Sequence, residues 1–150
     1  MIDPFASISL AAAIVQFIDF GARVVRGSRE IYLSRDGAQE EHIALKHVAN
    51  EVSHLNELVM QAAAPRSAAL QHDATLYELG KSCQSIAAEL IATLDLFAIQ
   101  ETNGVKHRWL AFRKSMASQM PRNKERIQAL DRRLERVQDQ ISRRLLLIIR

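Results

Sequence analysis

Three side chains of this sequence have types and a spacing that could bind a metal ion. His47, Glu51 and His54 would share one face of a helix, at positions i, i+4 and i+7. This is not the His-Glu-x-x-His arrangement of zinc proteases, and a solvated polar face explains the same pattern more simply. We therefore expect these residues to lie on a hydrated surface without a metal.

A second group has the order of residues found at the end of a phosphate-binding P-loop. Gly80, Lys81 and Ser82 have this order, but the loop also needs a glycine five residues earlier, where Thr75 stands. It also needs a preceding strand, and no strand pattern precedes these residues. The sequence therefore argues against nucleotide binding.

The single cysteine falls on a stripe of apolar residues. Cys83 shares helical spacing with Leu79, Ile86 and Leu90, so a small buried core residue is a simpler interpretation than a nucleophile. One cysteine excludes an intramolecular disulfide and fits a reducing compartment such as the cytosol. No catalytic constellation is visible, and we expect neither enzymatic activity nor a cofactor.

The composition indicates an all-α protein. The 150 residues suffice for one domain, 1–150, and only 5 Gly, 3 Pro and 5% aromatic residues occur. Pro, Gly and Asn divide the chain into about five helices, which predicts a helical bundle. The expected helices run from Pro4, capped by Asp3, to Ser28 or slightly beyond; from the Asp36-Gly37 turn to Pro65; from about Ser67 to Ile99; from Lys106 to Met120, closed by Pro121; and from about Ile127 onward.

The first helix is the most unusual element, because it carries no charge from Pro4 to Ile18. This length is roughly 22 Å, whereas a bilayer core is about 30 Å thick. Extension to Ala22 would approach spanning length but would bury Asp19, which we expect to pair with Arg23 at i,i+4. A helix that is apolar on every side must be surrounded by protein or by lipid, and we expect it at the centre of the bundle. Its large apolar side chains, which are the candidates for membrane insertion, are Phe5, Ile8, Leu10, Ile14, Val15, Phe17, Ile18 and Phe20.

The two ends of the sequence bear on whether the chain is cleaved and whether it continues. Asp3 stands where a secretory signal has Lys or Arg, and no clear cleavage site follows, so we expect the mature chain to start at Met1. The apolar run from Leu145 to Ile149 is unusual for a free tail. We expect the domain to be the N-terminal part of a longer protein.

Positive charge is concentrated in the last third of the chain. Residues 106–150 contain 13 Lys and Arg against 4 Asp and Glu, whereas the other residues contain 7 against 13. Such a segment could bind anionic lipid, nucleic acid or the acidic face of another copy, or it could be a solvated face. Because interleaved aromatic residues are missing, we do not expect nucleic-acid binding. The candidate lipid-binding cations are Arg122, Lys124, Arg126, Arg132, Arg133 and Arg136.

The last helix has an apolar seam at spacings of three and four residues, typical of a bundle or a short coiled coil. Packing within the same chain is the first interpretation, and self-association is the alternative. For Trp109 and Phe112, burial in the core is likewise the first interpretation, and a role as interface anchors is the alternative. The seam residues are Ile127, Leu130, Leu134, Val137 and Ile141.

Taken in order, these segments resemble the N-terminal helical domains of fungal STAND proteins, which are NLR-like receptors with a central NACHT ATPase. The resemblance covers nearly the whole chain and consists of apolar and small-residue patterns rather than catalytic signatures. Its carriers are Asp3 to Ala6 with Leu10 to Ala12, Val15 to Gly21, Arg29 to Tyr32 before Ser34 and Gly37, Cys83 with Ala87, Glu89 and Leu90, Lys106 to Phe112, and Ile127 to Leu145.

The resemblance implies a HeLo-like helical bundle that executes or transmits cell death. In that family context, a cytoplasmic receptor oligomerises, and the N-terminal helices of its effector domains enter the plasma membrane. The implied partners are anionic lipids, further copies of the chain and other helical death-type domains. The alternative is a soluble adaptor whose first helix never leaves the core and which binds another protein.

Overall fold

The computed structural model describes residues 4–28, 31, 43–63, 74–99, 109, 112–113 and 121–149, with only the backbone of 4–7, 97–99, 121–123 and 147–149. Four helices occur in this part of the chain: α1 (Pro4–Val25), α2 (Leu45–Ala63), α3 (Ala74–Ile99) and α4 (Pro121–Ile149). Trp109, Phe112 and Arg113 are also helical, as expected for the stretch before Pro121. The described residues contain no strand, and the expected all-α bundle is confirmed.

α1 packs against each of the other three helices, as α3 also does. Burying one large apolar side chain stabilises a fold by about 1.5–3 kcal/mol relative to leaving it exposed. α1 contributes many such side chains, so it forms a large part of the core. Its buried apolar residues are Leu10, Ala11, Ile14, Phe17, Ile18, Phe20, Val24 and Val25.

Gly21 allows α4 to approach α1 closely. A Cβ atom added at Gly21 would lie 3.2 Å from Leu134 Cδ2 on α4. A larger side chain would therefore push the two helices apart. The glycine serves packing here, and it does not interrupt the helix.

α1 ends in a Schellman motif centred on Gly27. The Ser28 N–H donates to the Arg23 carbonyl at 2.9 Å, and the Gly27 N–H donates to the Val24 carbonyl at 3.2 Å. Gly27 has φ 62°, the left-handed conformation that this motif needs and that glycine adopts without steric cost. The helix ends at Val25, somewhat before the expected boundary at Ser28.

α4 begins at Pro121, earlier than the start expected near Ile127. Proline suits the first turn of a helix, since its missing N–H would have no helical partner there. Further along α4, the seam packs against the core of the same chain. Leu130, Leu134, Val137 and Ile141 are buried, and Ile127 is partly buried against the same core.

Trp109 connects the end of α1 to the segment before α2. Its side chain is fully buried, and its indole Nε1–H donates to the Ser28 carbonyl at 3.1 Å. Its backbone N–H donates to the Ile43 carbonyl at 2.6 Å. The ring of Phe112 lies 5.1 Å away between centroids. Trp109 and Phe112 are therefore core residues, as the sequence analysis favoured.

We expect Trp109→Phe to lower the free energy of unfolding by about 1–3 kcal/mol, because the Ser28 carbonyl loses its buried donor. Urea denaturation followed by circular dichroism measures this change. Tyr77→Phe is the control, since Tyr77 is partly exposed on α3 and should change stability little. Equal stability of Trp109→Phe and the parent chain would show that this hydrogen bond contributes nothing.

Candidate functional site

α1 has one face that the bundle leaves open to water. Ile8 is 50% exposed and Val15 is 40% exposed, and Ser9, Ala12 and Gln16 are exposed beside them. The sequence predicted that the bundle would surround this helix on every side. The structure differs, because this face is exposed to water. Surface faces of helices usually carry charged residues, but this one has none from Ile8 to Gln16. We call these five residues the uncharged face.

Asp19 is the first charged residue along this side of α1. Its carboxylate lies 3.4 Å from the Arg23 guanidinium, which confirms the expected i,i+4 pair. The Asp19 side chain is 63% exposed, so its charge remains hydrated in the bundle.

Two shallow grooves flank the uncharged face. The groove towards α2 has a volume of about 510 Å³, and its described lining residues are all uncharged: Ser9, Ala12, Ala13, Gln16, Leu58, Gln61 and Ala62. The groove towards α4 has a volume of about 410 Å³ and includes the charged residues Asp19 and Arg26 at its edge.

The eight candidates for membrane insertion divide into two groups in this structure. Ile8 and Val15 lie on the uncharged face, and the Phe5 side chain is outside the described residues. Ile8–Val25 is the one described stretch that is long and apolar enough to cross a membrane, a test that core helices of soluble proteins also pass. The five candidates that lie in the core are Leu10, Ile14, Phe17, Ile18 and Phe20.

The candidate lipid-binding cations do not form a single surface. Lys124, Arg126, Arg132 and Arg136 are exposed. Arg133 instead joins α4 to α3, with 2.6 Å to the Glu89 carboxylate and 2.8 Å to the Ser85 hydroxyl. The Arg122 side chain lies outside the described residues.

One row of arginines points away from the bundle. Arg132, Arg136 and Arg143 are exposed and share one side of α4, at i, i+4 and i+11, and the exposed Asp139 lies among them at i+7. Within the described part of the chain, none of the three has an ion pair. The sequence analysis did not include Arg143, although its spacing from Arg136 is two helical turns. We call these three residues the arginine row.

Further contacts hold the C-terminal end of α1. The Arg26 guanidinium lies 3.0 Å from the Asp131 carboxylate and 3.3 Å from the Glu135 carboxylate on α4. Arg113 Nε–H donates to the Gly27 carbonyl at 2.9 Å. Arg113 thus places a positive charge at the negative end of the α1 dipole.

The residues first considered for catalysis or metal binding lie on ordinary helix surfaces. His47 and His54 are exposed on α2, and Glu51 is half-buried. Among the described residues, no group of three His, Cys, Asp or Glu side chains could hold a metal ion.

The lysine of the P-loop-like triplet is engaged within its own helix. Gly80, Lys81 and Ser82 lie in the middle of α3, which continues through them as regular helix. Lys81 is 3.9 Å from the Glu78 carboxylate and 4.7 Å from the centre of the Tyr77 ring. A helical backbone cannot form the phosphate-binding loop at this position.

Cys83 is fully buried, as the sequence predicted. Burial raises the pKa of its thiol from 9.0 to about 12, because the thiolate loses hydration. The thiol is therefore neutral at physiological pH and cannot act as a nucleophile in the folded domain.

We expect native Cys83 to react with a disulfide reagent at pH 8 far more slowly than the same residue in denatured protein. The folded state keeps the proton up to about pH 12, whereas the unfolded thiol loses it near 9.0. Between these values ionisation favours the unfolded chain, so this group lowers stability as the pH rises. Absorbance of the released thiolate measures the rate, with Cys83→Ala as the blank, and a native rate close to the denatured rate would contradict the burial.

No protein-family model, curated protein or solved structure matches this chain.

Proposed function

We propose that this chain is a membrane-permeabilising effector domain, in which α1 leaves the bundle and inserts into an anionic membrane. The proposal rests on one observation: a face of α1 that is exposed to water carries no charged residue from Ile8 to Gln16. The resemblance to the effector domains of fungal NLR-like receptors supports the same function. It adds a context, in which a cytoplasmic receptor oligomerises and brings several domains to the plasma membrane.

The side chains of α1 suit transfer into lipid. Between Ile8 and Ile18 the polar side chains are those of Ser9 and Gln16, so insertion would desolvate a hydroxyl and an amide but no charge. The span from Pro4 to Ile18 is shorter than a bilayer core, which places Asp19 near the interface or in a polar pore.

A membrane is needed to offset the cost of opening the bundle. In water, release of α1 would expose its buried Leu, Ile, Phe and Val side chains at about 1.5–3 kcal/mol for each large one. In lipid these side chains are again in an apolar environment. Clustering of several domains would add avidity for the surface, since the second and later contacts become intramolecular.

The arginine row supports attraction to an anionic surface. Arg132, Arg136 and Arg143 are exposed on the outer side of α4 and have no described ion pair to release. Each Lys or Arg close to an anionic bilayer contributes about 1 kcal/mol of attraction. The row would therefore concentrate the domain at the membrane before α1 inserts.

We expect Val15→Asp to abolish dye leakage from anionic vesicles while leaving the fold intact. Val15 is 40% exposed in the bundle, so the new carboxylate stays hydrated there. In an inserted helix the same carboxylate would cost about 3 kcal/mol. Leakage by purified residues 1–150 measures the effect, after circular dichroism has confirmed helicity.

Met60→Asp is the matched control, because Met60 on α2 is 43% exposed and does not belong to the inserting helix. It should leak like the parent chain. Full leakage by a folded Val15→Asp variant would overturn insertion through α1.

We expect Arg132→Gln with Arg136→Gln to weaken partitioning onto anionic vesicles roughly 30-fold, which corresponds to the loss of two surface cations. Vesicle co-sedimentation measures it. Lys46→Gln with Lys81→Gln removes two exposed cations from α2 and α3 and should have a smaller effect. Equal losses in the two double variants would show that total charge, and not the arginine row, governs binding.

A second candidate function is that of a protein-binding adaptor, which the uncharged groove between α1 and α2 favours. Small residues such as Ala12 and Ala13 would allow a partner helix to approach closely. The absence of leakage from a folded domain, even after artificial oligomerisation, would favour this function. In that case neither the parent chain nor Val15→Asp would cause leakage.

A further inference from the structure

Two sets of contacts hold the C-terminal end of α1, and they attach to different residues. Arg26 follows the helix directly and binds α4 through the Asp131 and Glu135 carboxylates at 3.0 and 3.3 Å. The next two residues, Gly27 and Ser28, are held through their carbonyl oxygens by Arg113 at 2.9 Å and Trp109 at 3.1 Å. The first set restrains the helix, and the second restrains the chain beyond it.

Gly27 lies at the boundary between these two sets. Its φ of 62° is a conformation that glycine adopts freely, and glycine also has the widest choice of other conformations. Hinges in proteins are commonly a few residues at the end of an element that absorb the change in φ and ψ. The position and the residue type therefore suit a pivot for α1.

The contacts on the helix side are weak enough to open. Arg26 is 51% exposed and Glu135 is 54% exposed, so water and ions reach both groups. Exposed ion pairs contribute little to stability and are easily replaced by other charges. By contrast, Trp109 is fully buried, and its backbone is bound to Ile43 as well.

We propose that Arg26 is a latch and Gly27 a hinge for α1. When Arg26 releases Asp131 and Glu135, opening of α1 about Gly27 becomes less costly. α1 then leaves α4 where lipid takes up its apolar side chains, while Trp109 and Arg113 keep hold of the chain after it. This inference rests on the proposed function, since it describes how α1 is retained before insertion.

The latch is tested from both sides of the ion pairs. Arg26→Ala removes the cation, and Asp131→Asn with Glu135→Gln removes the two carboxylates. These changes shift the net charge in opposite directions, so an effect that they share cannot come from net charge. The variant with all three substitutions completes a double-mutant cycle. Groups that act through one contact have non-additive effects in such a cycle.

The first measurement is hydrogen exchange of α1 amides by mass spectrometry, without vesicles. We expect exchange about three- to tenfold faster in each one-sided variant and no further increase in the triple variant. Arg133→Ala is the control, because it also removes one cation from a contact between helices but joins α4 to α3. It should leave α1 exchange unchanged. Additive effects, or an equal increase in the control, would overturn the latch.

The hinge is tested with the single tryptophan of the chain. When α1 inserts into vesicles, Trp109 should keep its emission maximum and its protection from iodide, because its contacts with Ser28 and Ile43 persist. Denatured protein gives the reference for an exposed indole. A shift towards that reference on insertion would overturn the hinge.

The latch and the proposed function can fail separately. Faster α1 exchange in the one-sided variants with no leakage from any variant would support the latch and refute insertion. Leakage by the parent chain with unchanged exchange in the latch variants would refute the latch and leave insertion standing. If both hold, the latch variants should also leak faster than the parent chain and the Arg133→Ala control.

Discussion

The burial of α1 at the centre of the bundle is the constraint on which the rest of the structure depends. Leu10, Ile14 and Phe17 are inaccessible to water, and α2, α3 and α4 all pack against this helix. Removing α1 would also uncover the side chains that face it on the other three helices. An open state is therefore accessible only where both surfaces find new apolar surroundings, lipid for α1 and self-closure or association for the remaining helices.

Among the described residues, several directional contacts lie at the C-terminal end of α1. Along most of its length the helix is held by apolar packing, which has no preferred direction and which lipid can replace. At the C-terminal end the Gly27 and Ser28 carbonyls accept side-chain hydrogen bonds from Arg113 and Trp109, and Arg26 adds ion pairs. A helix bound in this way is easier to release from its N-terminal side. In the proposed mechanism the two ends therefore have different tasks, insertion for the first and retention for the second.

Local pattern predicted the features that depend on local spacing. The seam of α4, the pairing of Asp19 with Arg23 and the burial of Cys83 all follow from helical periodicity. Pattern could not reveal that Trp109 binds Ser28, 81 residues away, or that Arg26 binds Asp131, 105 residues away. It also failed at the uncharged face, because an apolar residue on a helix signals burial only when a neighbouring element covers it, and Val15 remains 40% exposed. Pattern also placed the start of α4 too late, near Ile127, because proline both ends helices and begins them, and Pro121 begins one here.

The extent of the uncharged face bears on the choice between insertion and docking. A partner helix packs into one groove, and the groove between α1 and α2 would explain the small uncharged residues Ala12 and Ala13. It would not explain Val15, which lines the groove on the other side of α1. Ile8 lines neither groove and is half exposed. A lipid environment contacts the whole circumference of a helix, so it accounts for uncharged residues on both sides of α1 between Ile8 and Ile18, before the first charge at Asp19. For this reason the uncharged face favours a membrane over a single protein partner.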